Sequence, residues 1–152
     1  MKNTRLFAEH LKLLTENDWN KLFDLKIEIE RTDKFGEIKG GDKAIDGVFA
    51  MPYWKGSSII DRFTEVVRDI EILPDFDWSH WTEGKEILQN QTQDFNQLDV
   101  ITLCKLFTAI IRADRFNDGL LVGYFENGTI LKIIMALHKI VSAQNIAGKL
   151  IE

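Results

Sequence analysis

The sequence predicts a mainly α, single-domain multi-helix bundle with a small β-ribbon near residues 35–54. Three observations lead there. Apolar stretches at Ile59–Ile70, Leu98–Ile111 and Ile130–Val141 repeat at helical spacing. Glycines at 36, 40, 41, 47 and 56 cut the interval before them into short runs that no helix spans. A chain of 152 residues with 45% hydrophobic and 28% charged content builds one ordinary globular core rather than a disordered segment.

Thr4 is placed to cap a first helix that carries Phe7, Leu11 and Leu14 on one side. Asn17 or Asp18 is the expected cap of a second, bearing Trp19, Leu22, Phe23 and Ile29. Its tail, residues 25–30, alternates apolar and charged residues and fits a strand as well. Helix up to about Arg31 is preferred, because the helical spacing begins upstream and a lone strand has no partner. Phe35–Lys39 and Val48–Trp54 are read as the two strands of the ribbon, with Pro52 forcing an edge or a bend.

Ser57 or Ser58 opens the clearest helix, whose stripe is Ile59, Phe63, Val66, Val67 and Ile70 and whose end is set by Pro74. An aromatic loop, Phe76-Asp77-Trp78-Ser79-His80-Trp81, leads into a short helix over Thr82–Gln89 and a polar connector to Gln97. Asn96 is the expected cap of the next helix, with Asp99 in its first turn. Gly119–Glu126 reads as a two-turn helix closed by Asn127-Gly128. Thr129 to about Ala143 is apolar almost all round and belongs at the centre of the fold.

Composition removes several functions. Acidic and basic residues intermix, the net charge is −5 and no basic run occurs, so nucleic-acid binding is disfavoured. Cys104 is the single cysteine, which excludes an intrachain disulfide and a cysteine-based zinc site. His10, His80 and His138 stand far apart in no metal-ligand spacing, and no phosphate-binding or nucleophile-elbow motif occurs, so neither metal nor cofactor is expected. Glu9, His10 and Lys12 interrupt the first apolar stretch, which makes it an amphipathic helix rather than a signal peptide. No run of about 18 apolar residues is present. A cytoplasmic location without membrane association is the expectation.

Three segments are candidate sites. In Arg112-Ala113-Asp114-Arg115-Phe116-Asn117-Asp118-Gly119, charge is concentrated between two apolar segments. Arg112 and Arg115 offer rigid forks for a carboxylate or phosphate, and Asp114 or Asp118 a base. The preferred reading is structural: the aspartates pair with the arginines and cap the helix after Gly119. In the aromatic loop, Trp78 and Trp81 flank His80 beside Asp77, the makings of an aromatic-walled pocket with an acid/base pair. Against that stands simple docking of the indoles, with Asp77 or Ser79 capping the following helix. Tyr53 and Trp54, on the strand after Pro52, present aromatics suited to a partner peptide or else cover the core.

Met51-Pro52-Tyr53, Phe76-Asp77-Trp78, Arg112-x-Asp114-Arg115-Phe116-x-x-Gly119 and Glu126-x-Gly128, in this order over about residues 35–140, resemble a bacterial family of domains of unknown function. The resemblance implies a small intracellular bacterial protein and brings no activity, cofactor or catalytic residue. Aromatics in the loops, together with the lack of a recognisable catalytic or metal motif, make the expected function a non-catalytic binding or regulatory module for a protein or a small ligand, with self-association left open. The competing expectation is a small hydrolase or transferase in which Arg112 and Arg115 hold an anion. It requires the charged turn and the aromatic loop to meet at one cleft.

Overall fold

The computed structural model describes residues 2–41 and 51–151, with side chains over residues 5–41 and 51–144. Its elements in order are α1 (Lys2–Leu13), α2 (Glu16–Phe23), α3 (Leu25–Arg31), β1 (Gly36–Lys39), β2 (Tyr53–Gly56), α4 (Ser58–Asp69), α5 (Thr82–Gln89), α6 (Val100–Asp114), α7 (Leu120–Glu126) and α8 (Thr129–Ile151). One-turn 3-10 segments cover Trp78–His80 and Phe95–Gln97. The fold is mainly α with one two-stranded antiparallel ribbon, as the hydropathy pattern predicts.

Helix α8 is the axis. Ile130, Ile133, Ile134 and Leu137 recur at helical spacing and are fully buried, and α2, α3, α6 and α7 all pack around it. Its apolar surface is not closed all round, because Met135 is exposed. Helix α6 supplies the facing layer with Leu103, Leu106, Phe107 and Ile110. Cys104 is buried in that layer as a small hydrophobe, its thiol pushed well above the ordinary range by desolvation. Phe63 of α4 stands edge-on to Phe107 of α6 at 5.1 Å and to Phe125 of α7 at 5.3 Å, locking three helices at one point.

No single helix among the described residues is long and apolar enough to cross a membrane. Helices α7 and α8 together have the length, but they bend by 67° at the glycine between them.

One end of the ribbon packs on the core. Phe35 is buried and packs on Phe125 at 5.4 Å, and the Val122 methyls lie within about 3 Å of where a Cβ on Gly36 would be. The Ser57 amide donates to the Phe35 carbonyl at 2.8 Å and extends the ladder by one step. Beyond that point both strands are exposed, in the register Gly36↔Gly56, Glu37↔Lys55, Ile38↔Trp54 and Lys39↔Tyr53.

Several boundaries differ from expectation for local reasons. Helix α1 begins at Lys2, so Thr4 lies inside it. Thr15 caps α2 instead of Asn17 or Asp18: its hydroxyl accepts from the Asp18 amide while the Asp18 carboxylate accepts from the Thr15 amide, a reciprocal box. Hydrogen bonding from Thr15, its backbone amide first, holds the exposed Asp18 carboxyl below the usual carboxylate range. Residues 25–30 are helical, yet the chain breaks at Asp24, so Ile29 belongs to a separate helix. The second strand starts after Pro52 and ends at Gly56, later than the expected Val48–Trp54, of which residues 48–50 lie outside the described residues. Pro52 has no N–H for a ladder, which fits a start one residue later.

Helix α4 stops at Asp69, well before Pro74, because Glu71 takes a left-handed conformation with φ 56°. Its Ser57 hydroxyl is buried without a partner and caps nothing. Helix α6 is capped by Asp99, whose carboxylate accepts from the Thr102 amide at 2.7 Å, and Asn96 sits in the preceding 3-10 turn. Helix α8 runs to Ile151, past the expected end near Ala143.

Helix α3 is fastened to α8 through His138. The Lys26 ammonium donates to the imidazole Nδ1, and the Phe23 ring stacks on the imidazole at 4.4 Å. Desolvation, reinforced by the Lys26 charge, holds the imidazole below the ordinary histidine range. The unfolded chain therefore takes up a proton first. Stability is full above the unfolded pKa of about 6.5, falls as the pH drops through it, and levels off below the folded pKa. Urea unfolding followed from about pH 7.5 down to about pH 5.5 should show a larger loss in the wild type than in His138→Phe. Equal losses in the two proteins would show that His138 is not the coupled group.

Candidate functional site

Helix α6 ends at Asp114, and the charged segment makes a tight turn that Gly119 closes with φ 85°. Both aspartates of the turn are spent on backbone. Asp114 Oδ1 accepts from the Leu121 amide at 2.9 Å, which lets the end of α6 cap the start of α7. Asp118 Oδ2 accepts from the Trp54 amide at 2.8 Å, which ties β2 to the turn. The Trp54 indole lies directly over Gly119, where a Cβ would stand 2.4 Å from Trp54 Cδ1. Asp114 thus makes the expected cap and Asp118 does not, and the expected arginine–aspartate pairs do not form among the described residues. Among the described residues Arg112 and Arg115 make no ion pair. Arg115 is exposed, and Arg112 lies in the last turn of α6, where the helix dipole favours a cation.

The aromatic loop reaches the same turn from the other side. Phe116, 82% exposed, stacks on Trp78 with ring centroids 6.2 Å apart and planes 25° from parallel. Phe76 and Trp81 meet edge-to-face at 5.3 Å, and the Lys105 ammonium of α6 lies 4.7 Å and 5.1 Å from their ring centroids. Trp81 rests on Gly84, whose missing side chain makes room for it: a Cβ there would stand 2.2 Å from the indole. The loop is thus docked by its indoles. Asp77 and Ser79 do not cap α5, which has no side-chain cap. Instead the Lys85 ammonium donates back to the Ser79 carbonyl at 3.0 Å.

His80, Asp77 and Ser79 lie together without forming a catalytic relay. Such a relay places the carboxylate on one imidazole nitrogen and the nucleophile on the other. Here Asp77 Oδ2 is 2.8 Å and Ser79 Oγ 3.4 Å from the same Nδ1, and the Ser79 hydroxyl donates to Asp77. The His80 and Asp77 side chains are 82% and 70% exposed, so water competes for every bond. Hydrogen bonds from His80 and Ser79 hold the Asp77 carboxyl below its usual range, the reverse of what a proton-accepting carboxylate at neutral pH requires.

Where loop and turn meet, a groove of about 310 Å³ opens. Trp78 and Trp81 of the loop, Ala113 and Asn117 at the end of α6 and in the turn, Lys85 of α5 and Tyr124 of α7 line it. Of the residues singled out from sequence, the structure brings Trp78 and Trp81 to this groove. Arg112, Asp114, Arg115, Asp118 and His80 are not in its lining, and neither are Tyr53 and Trp54. Tyr53 and Trp54 stay exposed on the ribbon, 52% and 38%, and cover no core beyond Gly119. Lys85, Asn117 and Tyr124 were not singled out. Ala109 and Ala113, four apart on a helix otherwise crowded with large residues, are the sequence signal for a depression there. No group of three or more metal-ligating side chains occurs among the described residues.

Fold and site together define a small helical protein in which a ribbon and an aromatic loop are clamped onto one charged turn beside an aromatic-walled groove. Residues 14–143 match the family of unknown function DUF6508, and the chain belongs to that family. The match begins upstream of residue 35, so it takes in α2 and α3, which the residue pattern did not reach. No curated protein and no solved structure matches the chain.

The position of Trp54 over Gly119 leads to a specific expectation. Gly119→Ala forces a β-carbon into a left-handed residue and into the indole, and should cost about 2 kcal/mol, within the range for such strain. Urea denaturation measures the loss, and the Trp54 amide should lose protection from exchange in the same variant. A loss below about 0.5 kcal/mol, the scale of a neutral surface change, would contradict the packing described.

Proposed function

We propose that this protein is a non-catalytic binding module whose site is the groove between the Trp78–Trp81 loop and the α6–α7 turn. The observation that carries this reading is the groove itself. Two indoles wall it, and its volume of about 310 Å³ is at the lower end of small-molecule sites, roughly 300–1,000 Å³. That size favours a small ligand over a peptide. No acid/base pair lines it: His80 and Asp77 satisfy each other at an exposed 3-10 turn, and both arginines stand outside the lining. Asp114 fastens α7 to the end of α6, and both helices contribute lining residues. Binding without turnover in a preformed groove suits a sensing or regulatory role.

The test is a thermal-shift screen of a metabolite collection against the wild type and Ala113→Leu, a substitution that fills the groove on a helical position. A ligand that binds only the native state raises the melting temperature by mass action. At least one compound should stabilise the wild type and lose its effect in Ala113→Leu. Compounds that stabilise both proteins equally would move the site elsewhere, and a screen with no stabilising compound would count against a small-ligand site.

A further inference from the structure

We infer that the groove takes a planar apolar molecule bearing a single negative charge, an aromatic carboxylate being the simplest case; this rests on the groove being the binding site. Two features of the lining select for that chemistry. The first is the charge balance. The chain as a whole is acidic, with a net charge of −5, yet among the described residues no aspartate or glutamate lines the groove and the one charged lining residue is Lys85. The exposed Lys85 ammonium has three donors and spends one on the Ser79 carbonyl at 3.0 Å, with donors to spare. Tyr124 and Asn117 also line the groove, and neither side chain has a hydrogen bond among the described residues. Both can donate to an anion. Burial raises the Tyr124 phenol further above its ordinary range, so it keeps its proton at neutral pH.

The second feature separates an anion from a cation. Two indoles and a phenol also resemble the aromatic walls that capture ammonium ligands through cation–π attraction. Here Lys105, outside the lining, already lies 5.1 Å from the Trp81 ring centroid, and Lys85 is in the lining. A cationic ligand would meet the Lys85 ammonium with no lining carboxylate among the described residues to offset it, against an indole that already holds Lys105. A flat apolar body gains the stacking surface of Trp78 and Trp81, while its negative charge meets Lys85.

The experiment compares three probes of one shape and different charge, naphthoate, naphthamide and naphthylmethylammonium, by isothermal titration against the wild type, Lys85→Met and Ala113→Leu. Naphthoate should bind the wild type most tightly and the ammonium least. Lys85→Met should weaken naphthoate on the order of fivefold, the upper end for an exposed ion pair, and leave naphthamide unchanged. Ala113→Leu should remove binding of both. Equal binding of all three probes, a preference for the ammonium, or a naphthoate preference that survives Lys85→Met would overturn the anion assignment and leave the groove a binding site. Absence of binding by any probe would overturn the assignment and count against the groove as well.

Discussion

Two carboxylates that accept backbone amides from outside their own turn hold this structure in its particular shape. Asp114 takes the Leu121 amide and Asp118 the Trp54 amide. A carboxylate bonded to an N–H is a charge-assisted pair, roughly twice as strong as a neutral one. The two bonds differ in consequence. The Leu121 bond is partly buried, so losing its acceptor strands a donor away from water at a cost of about 1–3 kcal/mol. The Trp54 bond is exposed, and water can replace its acceptor. Asp114 therefore bears mainly on stability and on the direction in which α7 leaves α6. Asp118 bears mainly on where the ribbon lies.

Much else follows from that turn. With α7 fixed, Phe125 meets Phe63 and Phe35, and the ribbon is anchored to the core at Phe35. With the turn fixed, Phe116 offers its ring to Trp78, and the aromatic loop closes one side of the groove. The charges between apolar helices are thus divided by sign. The aspartates organise backbone, while Arg112 and Arg115 remain without carboxylate partners among the described residues. The groove beside them is shaped by packing rather than by charge.

The helices were largely legible in the sequence because their apolar stripes are regular. Thr82–Gln89 coincides with α5, and Asn127-Gly128 separates α7 from α8 with Gly128 left-handed. Caps were harder to place, for a physical reason. A capping box uses two residues three apart, and Thr15 and Asp18 both carry its chemistry. Asp99 is equally at home at a cap or in a first turn, and only its bond to the Thr102 amide decides. The expected arginine–aspartate pairs failed because adjacency in sequence does not reveal that each aspartate faces an amide from a segment folded back onto it. The groove was half legible. Its tryptophans stand out, but Lys85, Asn117 and Tyr124 come from α5, the turn and α7, and only packing brings them together.

The charged turn is a junction whose two aspartates bind backbone amides. Site-resolved amide exchange by NMR in Asp118→Ala tests it most directly. The Trp54 amide should lose protection and β2 should loosen from the turn, while amides of α8 exchange as in the wild type, since the core does not depend on this bond. Unchanged protection at Trp54 would contradict the account.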